Sequence, residues 1–298
     1  MKSEPGGIGS SRLLTEADRV DEAEVGKAES VTTTKVERTR SIGREGLFKM
    51  RLSNAVRKPA EALFILSLMV LFGTLSLRWL VSDTGWYESN FDKNLVPATT
   101  GIVPDELARV AGRVSGYLLL QRDRIDDITV NIGGLTRLLF NDREIRHMRD
   151  VRALLRGFYT AQYVAAGYVL LYLATVGWLE KGSFWVMLGR RLRWAGLLTI
   201  GLFGLLGVLS VLNFDALFLQ FHLISFDNNL WQLDPTRDNL IMMFPQPFWY
   251  DSALRLAITT GAQGTVAMLV GTMLTTLSKK PLVHNSWDHF LAELERLG

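Results

Sequence analysis

Two histidines carry the chemistry that this sequence offers. Of the four present in 298 residues, His284 and His289 stand in a polar C-terminal stretch, where a solvated surface role is the plain reading. His147 lies in EIRHMRDV and His222 in LQFHLIS, each near the end of a long apolar run. An imidazole with an ordinary pKa of about 6.5 takes or gives a proton near neutrality, so two of them facing each other form an acid/base pair. Whether they face each other depends on the elements that hold them.

Those elements are set by composition. The chain is 48% apolar and only 21% charged, which is too apolar for an ordinary soluble domain of this length. The apolar residues collect in four windows, 62–82, 157–179, 194–214 and 256–277. Each is close to the roughly 20 residues that a helix needs to cross a bilayer. The sequence therefore predicts an all-α membrane protein with four transmembrane helices, a small extracytoplasmic cap and room in that cap for one short β-hairpin.

Lysine and arginine placement gives the orientation. Arg40, Arg44, Lys49, Arg51, Arg57 and Lys58 precede the first helix. Lys181, Arg190, Arg191 and Arg193 crowd the link between helices two and three, and Lys279 and Lys280 follow the fourth. Between 215 and 250, by contrast, Arg237 is the only positive side chain, against Asp215, Asp227, Asp234 and Asp238. Both termini are expected in the cytoplasm, with two large loops on the outer face of the plasma membrane. The net charge of +3 is then an orientation signal. No basic stripe with interleaved aromatics points to nucleic acid. Zero cysteines exclude disulfides, a thiol nucleophile and thiolate metal sites, and no apolar run before Ala62 reads as a secretory signal.

The expected organisation follows. A disordered cytoplasmic tail (1–45) and an interfacial lead-in (46–61) precede helix one (62–82). An extracytoplasmic cap (83–156) leads to helix two (157–179), a cytoplasmic link (180–193) and helix three (194–214). An extracytoplasmic aromatic loop (215–255), helix four (256–277) and a cytoplasmic tail (278–298) complete the chain. In the cap, Pro104, Asp105 and Glu106 open a helix whose apolar face is Leu107, Val110, Ala111, Val114, Tyr117 and Leu118. DDITVNIGGLTRLLF reads as two extended pieces around Gly133-Gly134. In the second loop, Thr236 is read as the cap of a short helix ending at Pro245.

Asn141 and Glu144 have the spacing of a capping pair, and nothing breaks the helix that they start before Leu179. His147 is ten residues before Gly157, roughly 15 Å above the charge-free run at about 1.5 Å per residue. His222 is eight residues past Phe214, roughly 12 Å above its own run on the same rise. Helices two and three share a short link and are expected to pack antiparallel, which puts both rings at matching heights. Glu144 shares the face of His147, and Asp150, one turn on, is placed to orient the imidazole. The plain alternatives are a solvated interfacial helix around His147 and a satisfied buried histidine at 222.

NDREIRHMRDV, followed by a spanning helix, and FDALFLQFH, leading to NNLWQLDPTRDNLIMMFPQPFW, resemble the bacterial lipoprotein intramolecular transacylases (Lit). The likeness covers about 62–277 and includes WYESNFDK after helix one. Ile224-Ser225 departs from it, since the family pattern implies aromatics and a glycine-containing turn there. The resemblance implies transfer of the sn-2 acyl chain of a diacylglyceryl-cysteine lipoprotein to the α-amino group of the same cysteine, giving the lyso form. It also implies two essential outward histidines, which map onto His147 and His222. The partners so implied are diacylglyceryl lipoproteins and membrane lipid.

The residues suit that chemistry. An imidazole is well matched to an α-amine of pKa about 8, and ester-to-amide transfer needs no cofactor and no metal. His147 is assigned as base and His222 as acid, with the roles exchangeable. Asn228, Asn229 and Trp231 are candidates for the oxyanion or substrate contacts. Phe244, Phe248 and Trp249 are candidates for an acyl groove, with an aromatic interfacial belt as the plain alternative. Two rival readings remain. One is a metal-dependent membrane hydrolase using Glu144, His147, His222 and Asp227 or Asp238. The other is a non-catalytic membrane scaffold.

Overall fold

A computed structural model of the chain describes residues 54–179, 182–278 and 293–296. The expected tail (1–45), most of the lead-in, Glu180, Lys181, Lys279, Lys280, His284 and His289 lie outside the described residues.

Four helices are long and apolar enough to cross a membrane: α1 (Asn54–Ser82), α5 (Asp142–Leu179), α6 (Phe184–Ser225) and α8 (Gln246–Leu277). Helix α5 has 38 residues and α6 has 42. At about 1.5 Å per residue these are roughly 57 and 63 Å long, well beyond a hydrocarbon core of about 30 Å. Both must project from the bilayer, and the charged residues at the start of α5 put its overhang before Gly157.

Between α1 and α5 the chain builds the cap. It contains α2 (Thr84–Lys93), α3 (Val96–Thr100), α4 (Pro104–Leu118) and an antiparallel hairpin of β1 (Thr129–Ile132) and β2 (Leu135–Leu138). Gly133 and Gly134 turn the hairpin at φ +62 and +82, a pair of conformations that only glycine adopts without strain. The buried face of α4 is Leu107, Val110, Ala111, Val114, Tyr117 and Leu118, so its period of 3.6 is used as the sequence reads. This face joins Tyr87, Phe91, Ile128, Leu139 and Met148 in one apolar core under the cap.

Packing in the bundle differs from the simple antiparallel pair expected for helices two and three. Helix α6 packs along α8 and α5 packs along α1, while α5 and α6 meet only sparingly. Small residues decide this. A Cβ on Gly196 would lie 2.3 Å from the Gly264 carbonyl oxygen, and one on Gly189 would lie 2.7 Å from that of Gly271. Only glycine allows two backbones so close, and the close approach recovers dispersion contacts that lipid tails otherwise supply. The α1–α5 seam is instead filled by side chains, with Phe64 and Tyr172 stacked at 4.5 Å. Arg191, counted with the positive link, is buried there and paired with Glu61 at 2.7 Å.

Helix α6 is interrupted once. Asn213 leaves helical geometry (φ −159, ψ 80), and its Oδ1 accepts from the Ala216 N–H at 3.1 Å, restarting the helix in the manner of an N-cap. Past Ser225, the chain turns through 226–238 into α7 (Asn239–Met243). Thr236 does not cap α7. It donates from both its N–H and its hydroxyl to Asp234 Oδ1 in a turn ahead of it, and α7 begins three residues later.

Candidate functional site

The N-terminus of α5 is fixed by a reciprocal pair. The Asn141 N–H donates to Glu144 Oε2 at 2.7 Å, and the Glu144 N–H donates to Asn141 Oδ1 at 3.1 Å. Asn141 also donates its amide to the buried Asp238 at 2.9 Å, while Glu144 Oε1 accepts from the Leu240 N–H. The overhang of α5 is thereby tied to the entrance of α7. Glu144 is fully buried. Burial pushes its carboxyl above the usual carboxylate range, against the pull of the backbone N–H groups. Its two carboxylate oxygens accept from the backbone N–H groups of Asn141 and Leu240. Glu144, expected to support the site from the His147 face, acts through the backbone as the capping partner of Asn141.

One turn further along α5 lies His147, and near the end of α6 lies His222. Both are 7% exposed, and their ring centroids are 6.2 Å apart, tilted by 32°. Phe226, the residue that terminates α6, sits against both rings, 5.2 Å from His147 and 5.7 Å from His222. Phe218 and Trp231 approach His222 at 4.2 and 4.9 Å. The imidazoles thus meet inside an aromatic enclosure at the capped end of the bundle, beyond the charge-free spans.

The two rings differ in their hydrogen bonds. His222 Nδ1 lies 2.8 Å from the Phe218 carbonyl oxygen. A carbonyl only accepts, so Nδ1 carries the proton and Nε2 keeps its lone pair. His147 Nδ1 is buried with no partner among the described residues. Asp150 does not supply one: its Oδ2 accepts from Asn228 Nδ2 at 3.0 Å, so its expected orienting bond is corrected to a clamp on the loop. Burial pushes the His147 imidazole down to about 4, helped by the neighbouring His222 ring and opposed by Asp150. His222 is also lowered by burial, against its bond to Phe218. Both rings are neutral at pH 7, which is the state a base requires.

Asn228, Asn229 and Trp231 are all brought to this end of α5 and α6. Asn228 bridges Asp150 and the Leu230 N–H through its side chain, and the Asn229 carbonyl accepts from Arg143. Trp231 faces His222 directly. The acyl-groove candidates are divided. Phe244 and Phe248 are buried at 5% and 4% exposure among Tyr87 and Phe91, so they are corrected from groove wall to cap core. Trp249 stays exposed and donates its indole N–H to the Phe244 carbonyl at 2.9 Å.

Sequence alone does not single out Phe218 and Phe226. Phe218 had a signal, since it lies four residues before His222, the spacing of a helical side chain and the carbonyl beneath it. Among the described residues no three His, Asp or Glu side chains converge as metal ligands. Glu144 and Asp238, which the metal reading requires or offers, are both engaged by donors of the chain itself.

A family profile described as "Lipoprotein intramolecular transacylase Lit" matches residues 62–249. A protein of Aquifex aeolicus (strain VF5) described only as uncharacterized is 33% identical over 132 residues, 44% of this chain. The match covers 56% of that protein's own length. Among solved structures, the membrane-integral lipoprotein intramolecular transacylase of Bacillus cereus, determined in meso, superposes with a TM-score of 0.63 at 19% identity. That superposition covers 74% of this chain and 97% of that one. A variant of the same protein with a histidine replaced by arginine gives 0.60 at 18% identity, covering 80% and 98%. At such identities the likeness establishes a shared fold.

Proposed function

Because the chain belongs to the lipoprotein intramolecular transacylase (Lit) family, we propose that it moves an acyl chain within a diacylglyceryl lipoprotein, from the glyceryl oxygen to the α-amino group of the N-terminal cysteine. The observation that carries this reading is the facing pair of neutral imidazoles, 6.2 Å apart between centroids. Rings at that separation are close enough to act on the two ends of one transferring group. The site faces outward, both termini face the cytoplasm, and no cofactor takes part.

In the proposed sequence, His222 is the base. Its Nδ1–H is committed to the Phe218 carbonyl, so Nε2 is the atom free to take the proton of the attacking amine. The nitrogen bonds to the ester carbonyl carbon, and the neutral His147 ring donates N–H to the oxygen that gains charge, as neutral imidazoles do at other carbonyl sites. The carbon–oxygen bond to glycerol then breaks, and the proton held by His222 returns to the leaving oxygen. One ester is exchanged for one amide and no water is consumed. Donor and acceptor belong to one molecule, so proximity supplies much of the rate. Of the two assignments left open by the sequence, the tautomer of His222 favours this one.

The test is expression in a host that makes diacyl lipoproteins, followed by mass spectrometry of a lipoprotein N-terminal peptide. The expected product is an N-acylated peptide with one remaining O-acyl chain, absent in His147→Ala and in His222→Ala. An unchanged diacyl peptide with the unsubstituted chain refutes the proposal.

A further inference from the structure

A second site lies at the same end of the bundle, on elements that the histidine pair does not use. Helices α2 and α8 enclose a cleft of about 430 Å³ lined by Trp86, Ser89, Asn90, Lys93, Asp251 and Arg255 and floored by Leu254 and Ile258. Arg255 is held between two indoles, 4.3 Å from Trp79 and 4.4 Å from Trp86, and pairs with Asp83 at 2.5 Å. Lys93 pairs with Asp251.

Two atoms here are left over. Asn90 is 2% exposed, and although its amide nitrogen donates to the Trp86 carbonyl at 3.0 Å, its Oδ1 is buried with no partner among the described residues. Arg255 Nη1 is buried and equally without one. A buried acceptor and a buried donor left unmet each cost stability, and a ligand bringing the opposite groups recovers it. Below the cleft, Leu254 and Ile258 also wall an apolar furrow of about 490 Å³ between α6 and α8, along Gly204, Gly207 and Gly261. A cleft carrying charged and amide side chains that shares Leu254 and Ile258 with an apolar furrow inside a membrane fits an amphiphile.

We propose that this cleft binds a glycerophospholipid with a zwitterionic, primary-amine headgroup of the ethanolamine type. Its phosphate takes the Arg255 Nη1 donor and the Lys93 ammonium. The headgroup ammonium gives N–H to Asn90 Oδ1 and faces Asp251, and one acyl chain enters the furrow past Leu254 and Ile258. Charge selects the class: two cations and two carboxylates leave the site neutral, as is a zwitterion. A trimethylated amine has no N–H for Asn90. A glycerol headgroup brings donors, but also a net negative charge that Asp83 and Asp251 oppose.

The full chain, reconstituted in nanodiscs with equal parts of phosphatidylethanolamine, phosphatidylcholine and phosphatidylglycerol, is released for native mass spectrometry and its retained lipid identified. The expected result is retention of the ethanolamine lipid over the choline lipid by about tenfold or more, as losing hydrogen bonds to a charged group implies. Asn90→Leu removes the acceptor. Ser89→Trp plugs the cleft from an exposed position without disturbing buried residues, and in either variant the preference falls to parity. Equal retention of the three lipids overturns the proposal, as does preference for the glycerol headgroup or a preference that survives Ser89→Trp. Displacement of the retained lipid by a diacylglyceryl peptide also overturns it, by merging this site with the substrate's. The readout needs no transacylation, so its failure leaves the proposed reaction untouched.

Discussion

Two alanine substitutions on α6 separate close backbone packing from helix propensity. On its own, Gly→Ala inside a helix is favourable by about 1 kcal/mol. At Gly204 the new Cβ meets nothing within 4 Å, so Gly204→Ala keeps that gain. At Gly196 it would stand 2.3 Å from the Gly264 carbonyl oxygen and 2.7 Å from the Met268 nitrogen. Both obstacles are backbone, so no rotamer change relieves them and α6 must move away from α8. Overpacking of this kind costs about 1 to 3 kcal/mol, and a gap of about 0.5 to 1 Å along the seam forfeits a quarter to a half of each contact well. Gly196→Ala is expected to lose up to about 2 kcal/mol net, placing the two variants about 1 to 3 kcal/mol apart. Unfolding of both in the same detergent, followed by circular dichroism against added sodium dodecyl sulfate, measures the difference. Equal stabilities, or a gain at Gly196, would refute the close-packed seam.

Three further outcomes follow from the site. Asp150→Ala frees the Asn228 amide and so the turn that carries Trp231. Transfer is expected to fall about tenfold, with stability changed by about 1 kcal/mol or less, as measured by lipopeptide mass spectrometry beside a thermal melt. With His147 at about 4 and His222 pushed below its ordinary value by burial, only the substrate amine titrates between about pH 6.5 and 7. The logarithm of the rate should rise with unit slope there, whereas a slope near two would mean that an imidazole titrates as well. For stability the sign is fixed by the unfolded chain, which binds a proton near pH 6.5 while folded His147 does not until about pH 4. The contribution is fully present above pH 6.5 and declines by about 3 kcal/mol as pH falls toward 4. His147→Gln should remove that part of the decline in unfolding measured at pH 7.5 and 4.5.

Features fixed by local rules were legible in the sequence. The Asn141–Glu144 pair announces the start of α5 because capping is settled within four residues. The heights of His147 and His222 follow because the rise of a helix is constant. What escaped was decided by segments far apart in the chain. Phe244 and Phe248 read as groove residues beside Trp249, but Tyr87 and Phe91, some 150 residues earlier, draw them into the cap core. Asp150 reads as the orienting partner of the neighbouring imidazole and Glu144 as its support. The Asn228 amide in the loop and the Leu240 N–H in α7, about 80 to 100 residues away, claim these carboxylates instead. The bundle pairing had a signal that went unread: Gly189 and Gly196 are seven apart, as are Gly264 and Gly271, which puts each pair on one helical stripe.

The two imidazoles ride on different halves of the bundle, one with α1 and α5, the other with α6 and α8. Inside the bilayer little joins α5 to α6 directly, and α1 links the two halves; at the top the crossing strap 226–240, fastened to α5 at Arg143, Glu144 and Asp150, adds a direct tie. Severing that strap in the intact protein would leave every span in place and loosen the distance between the rings. Proteolytic nicking there should silence the protein long before it unfolds it.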